Sequence, residues 1–570
     1  MKKQDDSLEN LRHSLAHLLA AAVMELWPDT KRTIGPAIEN GFYFDFEFAK
    51  PISQDDLPKI ENKMREILPT WDKFTKHLLT AAEAKKEYPK NTYKHELIKE
   101  FSKGGKKVSF YKSGNYWDLC RGGHVASAKE INPDAFRLTK VAGAYWRGSE
   151  KNPQLTRIYA VAFETKKELD AYIAMLAEAE KRDHRKLGQE LGIFMFHETA
   201  PGMPYWLPRG VVVLNELIEF WRKEHREHGY QEIKSPLLNK KELYTTSGHW
   251  DHYLENMFIA KTEEGEIYAL KPMNCPNAMV VFGSTLHSYR NLPLRLSDTD
   301  TLHRYERSGT LNGLFRVREF SQDDAHIFLT EDQIESEYKA IFDIAERFYS
   351  IFGMRYSFQL GTRPEKFIGD KKLWDKAEAT LNAILKKSSK PFSVLEGDGA
   401  FYGPKIDILM KDSIGREWQM GTIQLDFQLP LRFGLKYAAA DGTQKTPVVI
   451  HRVIYGSLER FLGILIEHTA GAFPFWLAPV QVAILPINDK NLAYVEKVEK
   501  ELRGNNIRFE TDNRNESIGK KIREAELQKI PYLLIIGDRE ATAGTVAIRE
   551  RGKGDMGAES LQEFIKRIRA

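Results

Sequence analysis

His303-Arg304-Tyr305-Glu306, a loop carrying Gly309 and Gly313, and the return Arg316-Val317-Arg318-Glu319-Phe320-Ser321-Gln322-Asp323-Asp324-Ala325-His326 form the passage on which the reading of this chain turns. It crowds arginines and acids around two glycines and ends in a histidine. Working outward, two more dense polar strings stand apart from their surroundings: Lys271-Pro272-Met273-Asn274-Cys275-Pro276, and Ile450-His451-Arg452 just ahead of Gly456-Ser457-Leu458-Glu459-Arg460. Cys275, His326 and His451 would make one thiolate and two imidazoles, a three-ligand set that leaves the fourth position on Zn²⁺ open, as catalytic zinc is held. An open position implies a substrate atom on the metal. Lone cysteines and scattered histidines are equally what an ordinary packed core contains, and spacing alone leaves both readings standing.

At 570 residues the chain has room for roughly three to four domains of ~100 to 200 residues each. With 42% hydrophobic and 29% charged residues it has the composition of a globular enzyme, which excludes disordered, collagen-like and disulfide-stapled classes. Net charge is only +4, so any nucleic-acid surface must be local and offset elsewhere. The two cysteines, Cys120 and Cys275, are not spaced as a framework and point to a reducing compartment, with cytoplasm the default. Acids in Met1-Lys2-Lys3-Gln4-Asp5-Asp6 stand where a signal peptide needs its apolar stretch, and no apolar run approaches the ~18 residues that span a bilayer, so no membrane association is expected.

Periodicity divides the chain. Thr165 with Glu168 reads as a capping box, and Leu169, Tyr172, Ile173 and Leu176 follow at helical spacing, which makes 163–182 a helical linker. Residues 1–162, with short strands such as Gly41 to Phe48, are large enough for a domain. Val211 to His228 reads as an amphipathic helix stopped by Gly229, and 183–475 hold all three candidate ligands. In 476–570 strand and helix alternate around the apolar run Tyr532 to Ile536, taken as the last strand of a small α/β domain with a largely parallel sheet.

The helix Val211 to His228 with the extended stretch that ends at Ser235-Pro236, the Arg304 passage and the Arg460 string resemble motifs 1, 2 and 3 of the class II aminoacyl-tRNA synthetases. With Lys271 to Pro276, Gln322 to His326 and Gly403-Pro404-Lys405-Ile406-Asp407 added, they look like the threonyl-tRNA synthetase family across essentially the whole chain. That resemblance implies an α+β multidomain protein whose catalytic domain is an antiparallel sheet flanked by helices, with a homodimer interface at motif 1. The implied activity is ATP-dependent attachment of L-threonine to tRNA(Thr) through a threonyl-adenylate. Developing charge on the α-phosphate calls for preorganised guanidinium groups. Arg304 is expected there, Glu306 at the adenine amino group, Arg460 under the outer phosphates, and Arg316 or Arg318 beside them, with Mg²⁺ bridging phosphate oxygens. Gln322, Asp324, Tyr402, Lys405 and Gln424 are expected around threonine, and His249 as a proton relay toward the tRNA 3′ end. Threonine and valine have nearly one shape, and a hydrophobic pocket separates such a pair by only ~10²-fold. One Zn²⁺ per subunit on Cys275, His326 and His451 would bind amine and hydroxyl together, and valine lacks the oxygen.

Serine carries the same amine and hydroxyl, and a missing methyl gives only about 1 to 3 kcal/mol, so a second sieve is needed. His13 and His17 at helical i,i+4 spacing, with Asp118-Leu119-Cys120-Arg121-Gly122-Gly123-His124, resemble the family's α/β editing domain, which hydrolyses mischarged Ser-tRNA(Thr). Water-mediated hydrolysis without metal is expected, with Lys94 and Asp118 assisting; by residue type a second zinc is a rival. The family's further small domain ahead of this unit is not seen, Met1 lying twelve residues before His13; reduced tRNA affinity with both active sites intact is expected. The carboxy-terminal part resembles an α/β anticodon-binding domain, with Asn513, Glu516, Lys520 and Arg523 as base- and phosphate-reading candidates, although such charge runs are often plain solvated helix faces. Two other classes compete. An RNA-binding regulator would have lost Arg304, Arg460 or the ligand positions, and a free-standing deacylase would not keep a complete central domain.

Overall fold

The structure is a computed structural model and describes residues 2–388 and 390–569. The chain forms two compact units, Met1–Ala177 and Glu178–Ala570. Their boundary falls within the helix Lys166–Lys181, whose start carries the anticipated capping box: Thr165 N donates to Glu168 and Glu168 N to Thr165 Oγ1.

In the first unit the strand Gly41–Glu47 alternates as its sequence requires, with Phe42, Phe44 and Phe46 on one buried face. It lies between Lys31–Arg32 and Gln154–Ala162, and Phe136–Tyr145 closes the antiparallel sheet. The helix Lys2–Leu26 lays Leu15, Leu18, Leu19 and Ala22 into the core formed with those phenylalanines. A separate antiparallel sheet of Thr75–Leu79, Val108–Ser113 and Tyr116–Leu119 delivers Asp118 and Cys120 at its end.

An eight-stranded sheet organises the second unit. In order it runs Gln231–Glu232, Leu294–Asp298, Asp324–Leu329, Val448–Val453, Glu417–Asp426, Lys405–Lys411, Arg355–Gly361, Phe392–Leu395; the inner six are antiparallel and only the two edge strands pair in parallel. All six residues of Asp324–Leu329 are buried, because helices cover one face and the functional cavity occupies the other. The register is decisive. Leu296 faces His326, His326 faces His451, His451 faces Gln424, Gln424 faces Lys405 and Lys405 faces Gly361. Directly opposed residues put their side chains on one face of a sheet, so four expected site residues fall on a single row. The helix Pro208–Glu227 starts on a proline, buries Val213, Leu217 and Trp221 at helical spacing, and is followed by Gly229 at φ +71°.

The carboxy-terminal sheet corrects the expectation. Phe509–Thr511, Val482–Pro486 and Tyr532–Ile536 are parallel, but Tyr532–Ile536 is the middle strand, and the antiparallel hairpin Thr545–Glu550 and Gly554–Ser560 continues the sheet. That hairpin is mostly polar, with a turn through Gly552 and Gly554, so apolar runs alone could not announce it. Arg508 binds Glu216 at 2.6 Å and Arg209 binds Glu510 at 2.6 Å, fastening this part to the helix Pro208–Glu227.

Candidate functional site

Cys275, His326 and His451 come together, their ligand atoms within 4.8 Å of one another, and all three are buried. Cys275 opens the helix Cys275–Gly283, while the histidines face each other across two strands. Neither ring nitrogen of the wholly buried His326 has a hydrogen-bond partner, and neither has His451 Nδ1. Buried polar atoms are normally satisfied, so three orphaned nitrogens beside a thiol mark a place built for something with empty orbitals. His451 Nε2 meets Asp426 Oδ2 at 2.9 Å, the carboxylate backing that fixes the ring and aims Nδ1. Burial pushes the Cys275 thiol well up from its ordinary range, a cost that a cation at this point would reverse. The donor set therefore fits zinc.

A cavity of about 380 Å³ opens beside this trio, lined in part by Arg304, Gln322, Asp324, Tyr402, Lys405 and Gln424, so six expected residues share one space. Asp324 accepts from Asn274 Nδ2 at 3.2 Å and lies opposite the buried Asp298; burial raises both carboxyls, Asp324 to about 6. Such a pair suits an ammonium group. Tyr402 donates to Gln424. Lys405 Nζ is already clasped at 2.9 Å by Asp398 and by Asp407. Arg304 lies over the Phe320 ring at 4.9 Å with its Nε on Pro272 O. Arg460 Nε has no partner, and burial and the nearby Arg316 lower its pKa, so here two cations crowd without enough anion. Glu306 holds Arg316 at 3.0 Å. Arg318 differs from expectation: its guanidinium is spent on Glu306 O, Pro201 O and Ser308 Oγ, which brace the loop. His249 differs too. It is fully buried behind Met273 and Phe401, bonded to Ser247 Oγ at 2.8 Å and beside Met273 Sδ at 3.1 Å, and burial lowers it to about 3. It does not line the cavity.

In the first unit His13, His17, Cys120 and His124 also gather within 4.8 Å. Cys120 Sγ lies 3.5 Å from His13 Nε2 and 3.3 Å from His124 Nε2. Ser14 Oγ donates to Asn10 O and so accepts from His124 Nδ1, while His13 Nδ1 donates to Gly123 O. Both rings thus turn lone pairs toward the thiol. Burial lowers His13 and His17, takes His124 to about 3, and raises Cys120 to about 11. Asp118 is buried and binds Lys94 Nζ at 2.8 Å, Arg32 Nε at 3.3 Å, Tyr88 OH at 2.5 Å and Tyr116 OH at 3.0 Å. Despite burial, Lys94 and Arg32 hold its carboxyl well below the usual range. Arg32, Tyr88, Tyr116, Asn274 and Asp426 were not singled out from sequence; Asn274 at least sat in a string already in view.

The carboxy-terminal candidates stand near a cavity of about 690 Å³ lined by Asn513, Arg514, Glu524 and Arg209 among others. Asn513 and Arg523 are exposed, and Glu516 pairs with Lys520 at 2.6 Å one turn along the helix Ile518–Leu527.

Comparison with known proteins adds to this geometry. Residues 258–469 match the family model of the tRNA synthetase class II core domain (G, H, P, S and T), residues 481–570 an anticodon binding domain, and residues 108–159 the threonyl and alanyl tRNA synthetase second additional domain. The chain is similar to a threonine-tRNA ligase of Acetivibrio thermocellus, 53% identical over 98% of this chain and 87% of that protein. It is likewise similar to one of Caldanaerobacter subterraneus, 52% identical over 98% and 86%. Among solved structures, the RNA binding domain of threonyl-tRNA synthetase from Cryptosporidium parvum is 43% identical with a TM-score of 0.66, covering 68% of this chain and 98% of that one.

Proposed function

The chain belongs to the threonyl-tRNA synthetase family, and we propose that its central cavity selects threonine with a zinc ion on Cys275, His326 and His451. It attaches L-threonine to tRNA(Thr) at the expense of ATP and hydrolyses mischarged Ser-tRNA(Thr). The observation that carries the zinc reading is His326, buried with both ring nitrogens unpartnered beside a cysteine and a second histidine. When bound, the ion supplies a Lewis acid that prefers an amine and a hydroxyl over a methyl. Asp324 receives the ammonium, with Gln322, Tyr402, Gln424 and Lys405 around the rest of the amino acid. Arg304 and Arg460 hold the phosphates with Arg316 beside them, Glu306 turns to adenine, and Mg²⁺ arrives with ATP.

In the first unit the neutral imidazoles and the protonated thiol orient a water at the ester carbonyl. Ionised Asp118 anchors Lys94 and leaves the proton to be moved by the imidazoles. Asn513, Glu516, Lys520 and Arg523 read the anticodon. Two chains pair through the helix Pro208–Glu227, on which Val211 is 43% exposed. Among the described residues no helix is long and apolar enough to cross a membrane, and free thiols suit the cytoplasm. Metal analysis of the purified protein, paired with threonine-dependent exchange of pyrophosphate into ATP before and after chelation, tests the central claim. Exchange that persists at full rate in metal-free protein would overturn it.

A further inference from the structure

His184 lies far along the chain from every residue assigned a role above, yet it touches the loop between Arg304 and Arg316. Its Nε2 accepts from Leu314 N at 3.0 Å, and its Nδ1 donates to Glu467 Oε1 at 2.7 Å; its own backbone N donates to the same oxygen at 3.1 Å. The other oxygen of Glu467 lies 2.5 Å from Arg416 Nη2. Both His184 and Glu467 are almost wholly buried. Asp183, His184 and Glu467 lie close enough together to hold a cation, but each donor is already engaged, Asp183 by Arg185. The cluster is therefore a latch and not a metal site.

Its contacts say what it latches. The Phe315 ring packs against His184 at 4.0 Å between centroids, and a methyl on Gly313 would come within 2.2 Å of His184 Nε2. On the opposite side the loop rests on Gly463, where an added methyl would meet Leu314 Cβ at 3.1 Å. Glu467 and Gly463 belong to the helix Leu458–Thr469, which also carries Arg460. At its other end Glu459 accepts from Ser321 N at 3.0 Å. One helix thus grips the Arg304-to-Ser321 passage at both ends, about 12 Å apart along its axis, through Glu459 directly and through Glu467 by way of His184.

We infer that His184 is a positioning residue for ATP: by fixing Leu314 and Phe315 against the helix Leu458–Thr469, it sets Arg316 and Arg460 to face one phosphate site. The inference rests on the reading that these arginines hold ATP. A preorganised pair of cations loses its advantage when one drifts, and displacement of about 1 Å can cost on the order of 100-fold in rate. The test is threonine-dependent pyrophosphate exchange at varied ATP, on the full chain, for wild type, His184→Ala, His184→Gln and Gly313→Ala, with thermal midpoints and hydrolysis of preformed Ser-tRNA alongside. His184→Ala and Gly313→Ala should each lose roughly 10- to 100-fold in kcat/KM for ATP. KM for threonine and Ser-tRNA hydrolysis should not change, and glutamine, whose amide oxygen can accept from Leu314 N, should restore most of the loss. Folded variants with unaltered ATP kinetics overturn the inference, as does a parallel fall of every activity with the thermal midpoint. Should His184→Ala fail to fold, Gly313→Ala, which keeps the imidazole, decides alone. Wild type without exchange would instead sink the assignment of the arginines to ATP.

Discussion

In the first unit Cys120 has two imidazole nitrogens aimed at its sulfur, the His17 ring edge-on to His13, and the nearby carboxylate of Asp118 held by Lys94 and Arg32. In the second, Cys275 lies with two imidazoles that have bare nitrogens left over, backed by Asp426 and faced by Asp324 across an open cavity. The ligand types are the same, and their consequences differ. Four donors can close a tetrahedron or satisfy one another, whereas three donors beside a cavity leave a position for cargo. A cluster's residue types therefore announce much less than its unsatisfied atoms do.

The comparison breaks most easily at Cys275. Cys275→Ala should abolish threonine-dependent exchange and bound zinc together while leaving hydrolysis of Ser-tRNA untouched; loss of both activities would mean the two clusters are not independent. Next comes Asp118→Asn, which leaves Lys94 and Arg32 buried without their counter-charge. It should destabilise the first unit by about 3 to 5 kcal/mol, read by hydrogen exchange in the helix Lys2–Leu26, with exchange kinetics at the central cavity unaltered. Asp426→Asn probes the carboxylate behind His451 and should weaken zinc 10- to 100-fold, measured by competition with a chromogenic chelator; unaltered affinity would show that Asp426 does not tune the ligand.

Acid provides a gentler contrast. The folded state holds His124 near 3, below the ~6.5 of an unfolded chain. Between those values the unfolded form takes up a proton that the folded form refuses, so stability of the first unit is kept above pH ~6.5 and falls as pH drops toward 3. The slope should reach about 1.4 kcal/mol per pH unit for this histidine. Protection of the same helix amides at pH 7 and pH 5 checks the sign. Least affected should be the surface pair Glu516 and Lys520: Glu516→Gln should leave the thermal midpoint essentially unchanged, while anticodon-stem affinity reports whether these side chains touch RNA.

Much of this was legible in the chain, and the reasons are physical. His13 and His17 share a helix face because the helix turns every 3.6 residues, and Gly229 ends its helix where a left-handed residue is required. Cys275, His326 and His451 could be grouped by the strings around them. Arg32, Asp426 and His184 gave no such signal. Each acts through another residue, Asp118, His451 or Leu314, and the pairing is created by strand register or by a helix end that no local pattern encodes. His249 and Arg318 show the reverse, conspicuous residues that the fold spends on neighbours, His249 buried against Ser247 and Arg318 bracing the loop through Glu306 O.

Because Leu296, His326, His451, Gln424, Lys405 and Gly361 oppose one another across six strands, their alignment tolerates exchange and forbids displacement. A single residue inserted ahead of His451 in Val448–Val453 would present Ile450 to the amino acid and bury the imidazole among the helices, since neighbours along a strand point to opposite faces. Lineages of this protein are thus free to lengthen the connecting loops, while a one-residue deletion in the strand of His326 or His451 would turn that imidazole away from the cavity.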